Sequence, residues 1–197
     1  MNKTIEFYFD FGSPTAYLAH TQLKSIANKH NADLIYEPML LCAVLKATKN
    51  STPALVPAKG RYLMTQDLPR FIKRYRVKFK MNSFFPINTT TLMRGCFAAK
   101  ELGVFEHYVD TVYDAMWTKS VNMGDETVFV NILNEAGING EKILSLIQTD
   151  SIKDALKVNT HKAIDKGAFG APTMFIGEDM YFGQDRLEFI EAALSHK

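Results

Sequence analysis

GAFGAPTMFIGEDMYFGQDR, residues 167–186, is the stretch on which the reading of the fold turns. Thr173 to Ile176 is a short apolar run of strand type. Gly177-Glu178-Asp179 has the composition of a turn, and Met180-Tyr181-Phe182 reads as the strand that answers it. Phe182 to Asp185 then leads into a last helix, Arg186 to Leu194. The chain therefore closes on two strands and a helix.

At the other end, Ile5 to Phe11 (IEFYFDF) is an apolar, aromatic run of strand type. Gly12-Ser13-Pro14 stops it. Pro14 through Asn28 carries Tyr17, Leu18, Leu23 and Ile26 at helical spacing, and Ala32 to Glu37 is a second strand candidate. A strand, a helix and a strand in that order predict a parallel pair. Between the two ends, from about Cys42 to Val158, the patterns are mainly helical. Asn88 and Asp125 suit helix starts, Gly103 and Gly137 suit helix stops, and Lys49 to Pro57 (KNSTPALVP) reads as a loop. This order is that of an α/β, thioredoxin-like fold with an inserted all-helical domain. The thioredoxin-like part is expected over residues 1–42 and 158–197, and the helical insertion over 43–157.

Bulk properties narrow the function classes. The 197 residues are 47% hydrophobic, enough for a packed core, and the net charge is only +2. Neither nucleic acid nor a membrane is implied as a partner. No apolar run approaches the roughly 18 residues of a membrane span, and the N-terminal apolar segment is broken by Asp10, unlike a secretory leader. Cys42 and Cys96 are far apart with no Cys-x-x-Cys spacing, which argues against a redox dithiol and for a reducing cytoplasm. The five histidines show no ligand pairing, so no metal is expected. Arg70 to Lys80 (RFIKRYRVKFK) is basic and interleaved with aromatics. It reads as a solvated helix face running into a loop, able to attract an anionic ligand.

Three places could carry chemistry. Ser13 and Pro14 are favoured helix N-cap and first-turn residues. A capping serine still has its own proton to donate, and at the positive end of a helix it would meet a thiolate well. With no cysteine there, the thiol would come from a ligand. Gly170-Ala171-Pro172-Thr173 reads either as a plain loop entering a strand or as a cis-proline turn offering backbone to an extended peptide. Phe182 to Arg186 opens the last helix. Asp185 there suits either a cap or the amine of a ligand, beside N–H groups suited to a carboxylate. Asp10, next to Ser13, is read as a hydrogen-bonded structural carboxylate, with a proton relay as the alternative.

FDFGSPTAYLA, Asn88-Thr89-Thr90 before a helix, and GAFGAPTMFIGEDMYFGQDR together resemble the 2-hydroxychromene-2-carboxylate isomerases and the related kappa-class glutathione transferases, over nearly the whole chain. That family has a DsbA-like thioredoxin fold. The resemblance implies that Ser13 is the catalytic serine holding a glutathione thiolate. It implies that Ala171, before a cis Pro172, pairs with the glutathione backbone, and that Gln184 and Asp185 bind its γ-glutamyl end. Asn50 and Lys59 fall where the family reaches glutathione or substrate, and Lys46 and Asn88 where it faces the substrate. A homodimer is implied as well. Thr15 stands where members often carry an aromatic, Tyr181 and Phe182 where tryptophans are common, and Ala171 where valine is common.

The leading expectation is an isomerase that uses glutathione as its cofactor and acts on a small aromatic carboxylic acid. Two alternatives stand beside it. One is a transferase that conjugates glutathione to an electrophilic substrate. The other is a non-catalytic binding module in which Ser13 is only a cap.

Overall fold

The computed structural model describes residues 3–195. The first strand, β1 (Thr4–Phe9), leads into helix α1 (Pro14–Lys29) and returns as β2 (Asp33–Pro38). Near the C-terminus β3 (Thr173–Ile176) and β4 (Asp179–Phe182) form a hairpin. The sheet order is β2-β1-β3-β4, with β1 parallel to β2 and antiparallel to β3. β3 and β4 are antiparallel, Ile176 pairing with Asp179 across a turn that begins with Gly177 at φ 61°.

β1 is paired along both edges and covered on both faces. Phe7 and Phe9 enter the main core, which also takes Leu18 and Leu23 of α1 and Ile190 of the last helix, α10 (Leu187–Ser195). Tyr8 points the other way, into a smaller cluster with Met39, Val44, Ala163 and Phe175. Strand alternation alone produces this division.

The chain between β2 and β3 is helical. It runs through α2 (Leu41–Ala47), α3 (Pro57–Tyr62), α4 (Leu68–Tyr75), α5 (Thr90–Glu101), α6 (Phe105–Asp114), α7 (Glu126–Glu135), α8 (Gly140–Leu146) and α9 (Asp150–Asp165). Trp117, fully buried, fastens this part to the start of α1: its indole N–H donates to the carbonyl of Phe11 at 2.8 Å. None of the helices among the described residues is long and apolar enough to cross a membrane.

Several expected boundaries shift. The first strand was expected to reach Phe11 but ends at Phe9, because the Asp10 carbonyl turns to accept from Ser13 N at 3.0 Å. The expected loop at Lys49–Pro57 contains a 3-10 turn, Pro53–Leu55, capped by Thr52. The last helix starts one residue late, after a 3-10 turn over Gln184–Arg186. Helix α9 runs across residues 157 and 158, between which the helical insertion and the thioredoxin-like part are expected to divide, and its Asn159 donates to the Pro38 carbonyl of β2 at 2.8 Å. Residues 1–2 and 196–197 of the expected thioredoxin-like segments lie outside the described residues. Gly103 and Gly137 follow helix ends with φ of 70° and 77°, a conformation that glycine adopts at little cost.

Candidate active site

The N-terminus of α1 faces the loop that enters β3. Ser13 is extended at φ −99° and ψ 112°, the N-cap geometry, and its Oγ accepts from Ala16 N at 3.1 Å. Pro14 follows at the first helical position, where a missing N–H costs nothing. Ser13 is 4% exposed, and its hydroxyl donates to the Ala171 carbonyl at 3.0 Å. The Ala171–Pro172 peptide is cis, as the family resemblance implied.

A second loop comes alongside. Gly183 N donates to the Pro172 carbonyl at 3.0 Å, which holds the start of the Gln184–Arg186 turn against the proline. Gly183 has φ 105°, a conformation L side chains rarely adopt, and a Cβ there would also run into Asp185 Oδ1. Glycine at this position thus lets the carboxylate sit close over the loop. Gly170 is constrained too: a Cβ would lie 2.7 Å from the Phe182 ring, which packs on Phe169 with centroids 4.5 Å apart. Tyr75 of α4 donates its hydroxyl to the Gln184 carbonyl, and burial raises the pKa of that phenol.

These elements enclose a cleft of about 280 Å³. Of the nine expected site residues, Ser13, Asn50, Ala171, Pro172, Gln184 and Asp185 line it. Asn50 Nδ2 reaches the Phe169 carbonyl at 3.1 Å, tying the segment after α2 to the proline loop. Lys46, Lys59 and Asn88 are exposed and are not among the cleft-lining residues. Asn88 acts locally instead, its Oδ1 accepting from Thr90 N at 3.0 Å at the start of α5.

The cleft also gathers residues that sequence reasoning missed. Leu41, Leu45, Leu63, Met64, Phe85 and Phe169 make its wall largely apolar. Their only local signature is hydrophobicity, which core residues share. The charged lining groups are Asp67, Asp185 and Arg186, and Arg186 is already paired with Asp185 at 2.6 Å. Thr15 was legible only as a departure from the family pattern, yet its hydroxyl also donates to the Ala171 carbonyl, at 3.2 Å.

Asp10 underpins the site from below. It is 1% exposed and accepts from Gly12 N and Leu41 N, both at 2.8 Å, which fixes the α1 and α2 N-terminal loops to each other. Burial pushes its pKa up, and the hydrogen bonds from Gly12, Leu41 and Thr89 pull partly against that. The chain's own thiols are poorly placed to act as nucleophiles. Burial raises the pKa of both, and Asp10 adds to the effect at Cys42 and, less than burial, at Cys96.

A helix N-terminus bearing a hydroxyl, set against a cis proline on a four-stranded sheet and interrupted by helices, defines the thioredoxin-like class with a helical insertion. The model of the DSBA-like thioredoxin domain matches residues 4–195, and the chain belongs to that family. It is 28% identical to a 2-hydroxychromene-2-carboxylate isomerase of Sphingobium xenophagum, over 98% of this chain and 99% of the relative. It is 27% identical to glutathione S-transferase kappa 1 of Homo sapiens, over 99% of this chain and 92% of the relative. A solved 2-hydroxychromene-2-carboxylate isomerase superposes with a TM-score of 0.87 at 26% identity, covering 97% of this chain and 94% of that one. The resemblance read from the sequence thus holds over nearly the whole chain.

Proposed function

We propose that the chain is a glutathione-dependent enzyme that activates a bound thiol at Ser13, working as an isomerase of the 2-hydroxychromene-2-carboxylate type. The observation that carries the reading is the Ser13 hydroxyl lying 3.0 Å from the Ala171 carbonyl, next to a cis proline and at the positive end of α1. The donor set suits a tripeptide thiol. Ser13 and the helix end favour a sulfur anion, the Ala171 backbone suits an extended chain, and Asp185 suits an amine. Glutathione bound there would supply a nucleophilic sulfur that adds reversibly to a conjugated aromatic carboxylic acid.

The chain's own residues do the rest. Ser13 turns its proton from Ala171 to the sulfur and holds it as an anion. The Gln184–Arg186 turn grips the γ-glutamyl end, and the apolar wall around Leu63, Phe85 and Phe169 excludes water from the reacting face. Preorganised donors of this kind act without reorganising during reaction. In this reading the protein works in the cytoplasm as a homodimer on a small-molecule substrate.

A second reading is a conjugating transferase of the kappa type. One observation favours it: Lys46, Lys59 and Asn88, the polar groups expected by resemblance to reach glutathione or the substrate acid, are not among the cleft-lining residues, whose only cation is Arg186. Thiol accounting separates the two. An isomerase turns over a conjugated aromatic pyruvate-type acid many times on a trace of glutathione, with free thiol undiminished. Loss of one thiol per product, with a conjugate in the mass spectrum, selects the transferase. No glutathione binding at millimolar ligand leaves only the non-catalytic module.

A further inference from the structure

Three oxygens form a closed triangle at the head of α1. Ser13 Oγ lies 3.0 Å from Thr15 Oγ1 and 3.0 Å from the Ala171 carbonyl oxygen, and Thr15 Oγ1 lies 3.2 Å from that same carbonyl. Each hydroxyl has one proton, and the carbonyl has none. Two protons therefore serve three contacts, and one edge of the triangle is always without one. Ser13 Oγ also accepts from Ala16 N at 3.1 Å, which leaves it one further lone pair for the Thr15 hydroxyl.

The consequence appears when the Ser13 proton is needed elsewhere. For Ser13 to donate to a sulfur anion, it must let go of the Ala171 carbonyl. Alone, that move would strip a donor from a half-buried carbonyl, at a cost comparable with the hydrogen bond gained. Thr15 removes the conflict. Its hydroxyl either stays on the Ala171 carbonyl or turns to Ser13 Oγ and polarises the outgoing O–H.

We propose that Thr15 is a positioning residue of the thiol site, keeping the Ala171 carbonyl or Ser13 Oγ supplied with a proton while Ser13 donates to the ligand sulfur. This rests on the glutathione reading above and deepens it. Thr15 caps nothing: Ser13 already accepts from Ala16 N, and the hydroxyl of Thr15 is directed at Ser13 and Ala171. An aromatic at this position carries no hydroxyl on its Cβ to reach Ser13 and Ala171, so the device belongs to this chain's departure from the family pattern.

The test uses the full chain with reduced glutathione. The ultraviolet absorbance of the bound thiolate is followed against pH in wild type, Ser13→Ala, Thr15→Val and Thr15→Ser, with thermal unfolding as the check on folding. Thr15→Val is nearly isosteric and lacks only the hydroxyl. It should raise the midpoint of thiolate formation by a roughly two- to tenfold change in proton affinity, the size of one hydrogen bond. Thr15→Ser should restore the wild-type midpoint. A Ser13→Ala midpoint that moves while Thr15→Val stays at the wild-type value overturns the role of Thr15 and leaves the Ser13 reading standing. If wild type binds no glutathione, or Ser13→Ala moves nothing, the thiol site itself fails and the inference falls with it.

Discussion

Ser13 Oγ and the carbonyl oxygen of Ala171 lie 3.0 Å apart although the two residues stand 158 positions apart in the chain. This bond joins the first helix of the thioredoxin-like unit to the loop that enters its third strand. The whole helical insertion is spent between the two partners. The site therefore depends on the register of β1 against β3, in which Tyr8 pairs with Thr173, two residues past Ala171. Any change that slips that register separates the hydroxyl from the proline loop.

Two substitutions at Ser13 separate its cap from its hydroxyl chemistry. Ser13→Ala leaves Ala16 N without its acceptor and should cost about 1 kcal/mol of stability in urea unfolding. Ser13→Gly should cost only a few tenths of a kcal/mol, because glycine is itself a tolerated N-cap. Both remove the same proton, so both should lose thiolate stabilisation in the presence of glutathione to the same extent. A Ser13→Gly protein that retains it would assign the effect to the helix end alone.

Asp10 should leave a signature in the pH dependence of stability. Its folded pKa is raised above 3.8 by burial. Just above that value the folded state keeps the proton while the unfolded chain has lost it. Fewer protons bound on unfolding means that this group's contribution to stability falls as pH rises through the window. Asp10→Asn should remove that slope, read as the difference between wild-type and mutant urea midpoints as the pH rises from 4. At neutral pH the mutant should still be less stable, by roughly 1–3 kcal/mol. Gly12 N and Leu41 N each point at a separate carboxylate oxygen, and an amide can accept from only one while offering a donor to the other.

What the sequence discloses follows how local each cause is. Strand β3 spans Thr173–Ile176, the residues its apolar run marks. Asp125 caps α7 through Val128 N at 3.0 Å, and Gly103 and Gly137 end helices, because caps and stops are written in adjacent residues. Six of the nine expected site residues line the cleft because they sit at element ends that the fold brings together. The π-helical turns at Leu63–Asp67 and Ala115–Lys119 have no such local mark. Nor do Asp67 and Phe85, which enter the cleft through tertiary packing of the insertion. Lys46 and Lys59 are expected near the ligand by family resemblance, and neither that resemblance nor their charge says which face of α2 or α3 meets the cleft.

The Gly183–Asp185 relationship gives a prediction for affinity. Asp185→Ala should weaken reduced glutathione by about tenfold in calorimetry, the scale of one hydrogen bond to a charged group. Gly183→Ala should approach the same loss without touching the carboxylate. Its φ of 105° is unsuited to alanine, and the new Cβ collides with Asp185 Oδ1. It should also cost more than about 1 kcal/mol of stability. Unchanged affinity in both variants would remove Asp185 from the binding site.

Arg186, and not Lys59, is the cation placed to meet a carboxylate in the cleft. Lys59 is exposed on α3 and is not among the cleft-lining residues, whereas Arg186 lines the cleft and is held there by Asp185 at 2.6 Å. A ligand amine that takes Asp185 releases the guanidinium, whose planar fork can then bind a carboxylate through two parallel hydrogen bonds. Arg186→Gln should therefore lower kcat/KM for a carboxylate substrate by about tenfold or more, the scale of a charge-assisted pair. Arg186→Lys should recover only part of that, since an ammonium cannot reproduce the fork. Lys59→Ala should stay within about threefold of wild type, as for a solvated surface charge, and its effect should vanish with added salt. The reverse order, with Lys59→Ala the more damaging, would mean that α3 carries its lysine into the cleft when substrate binds.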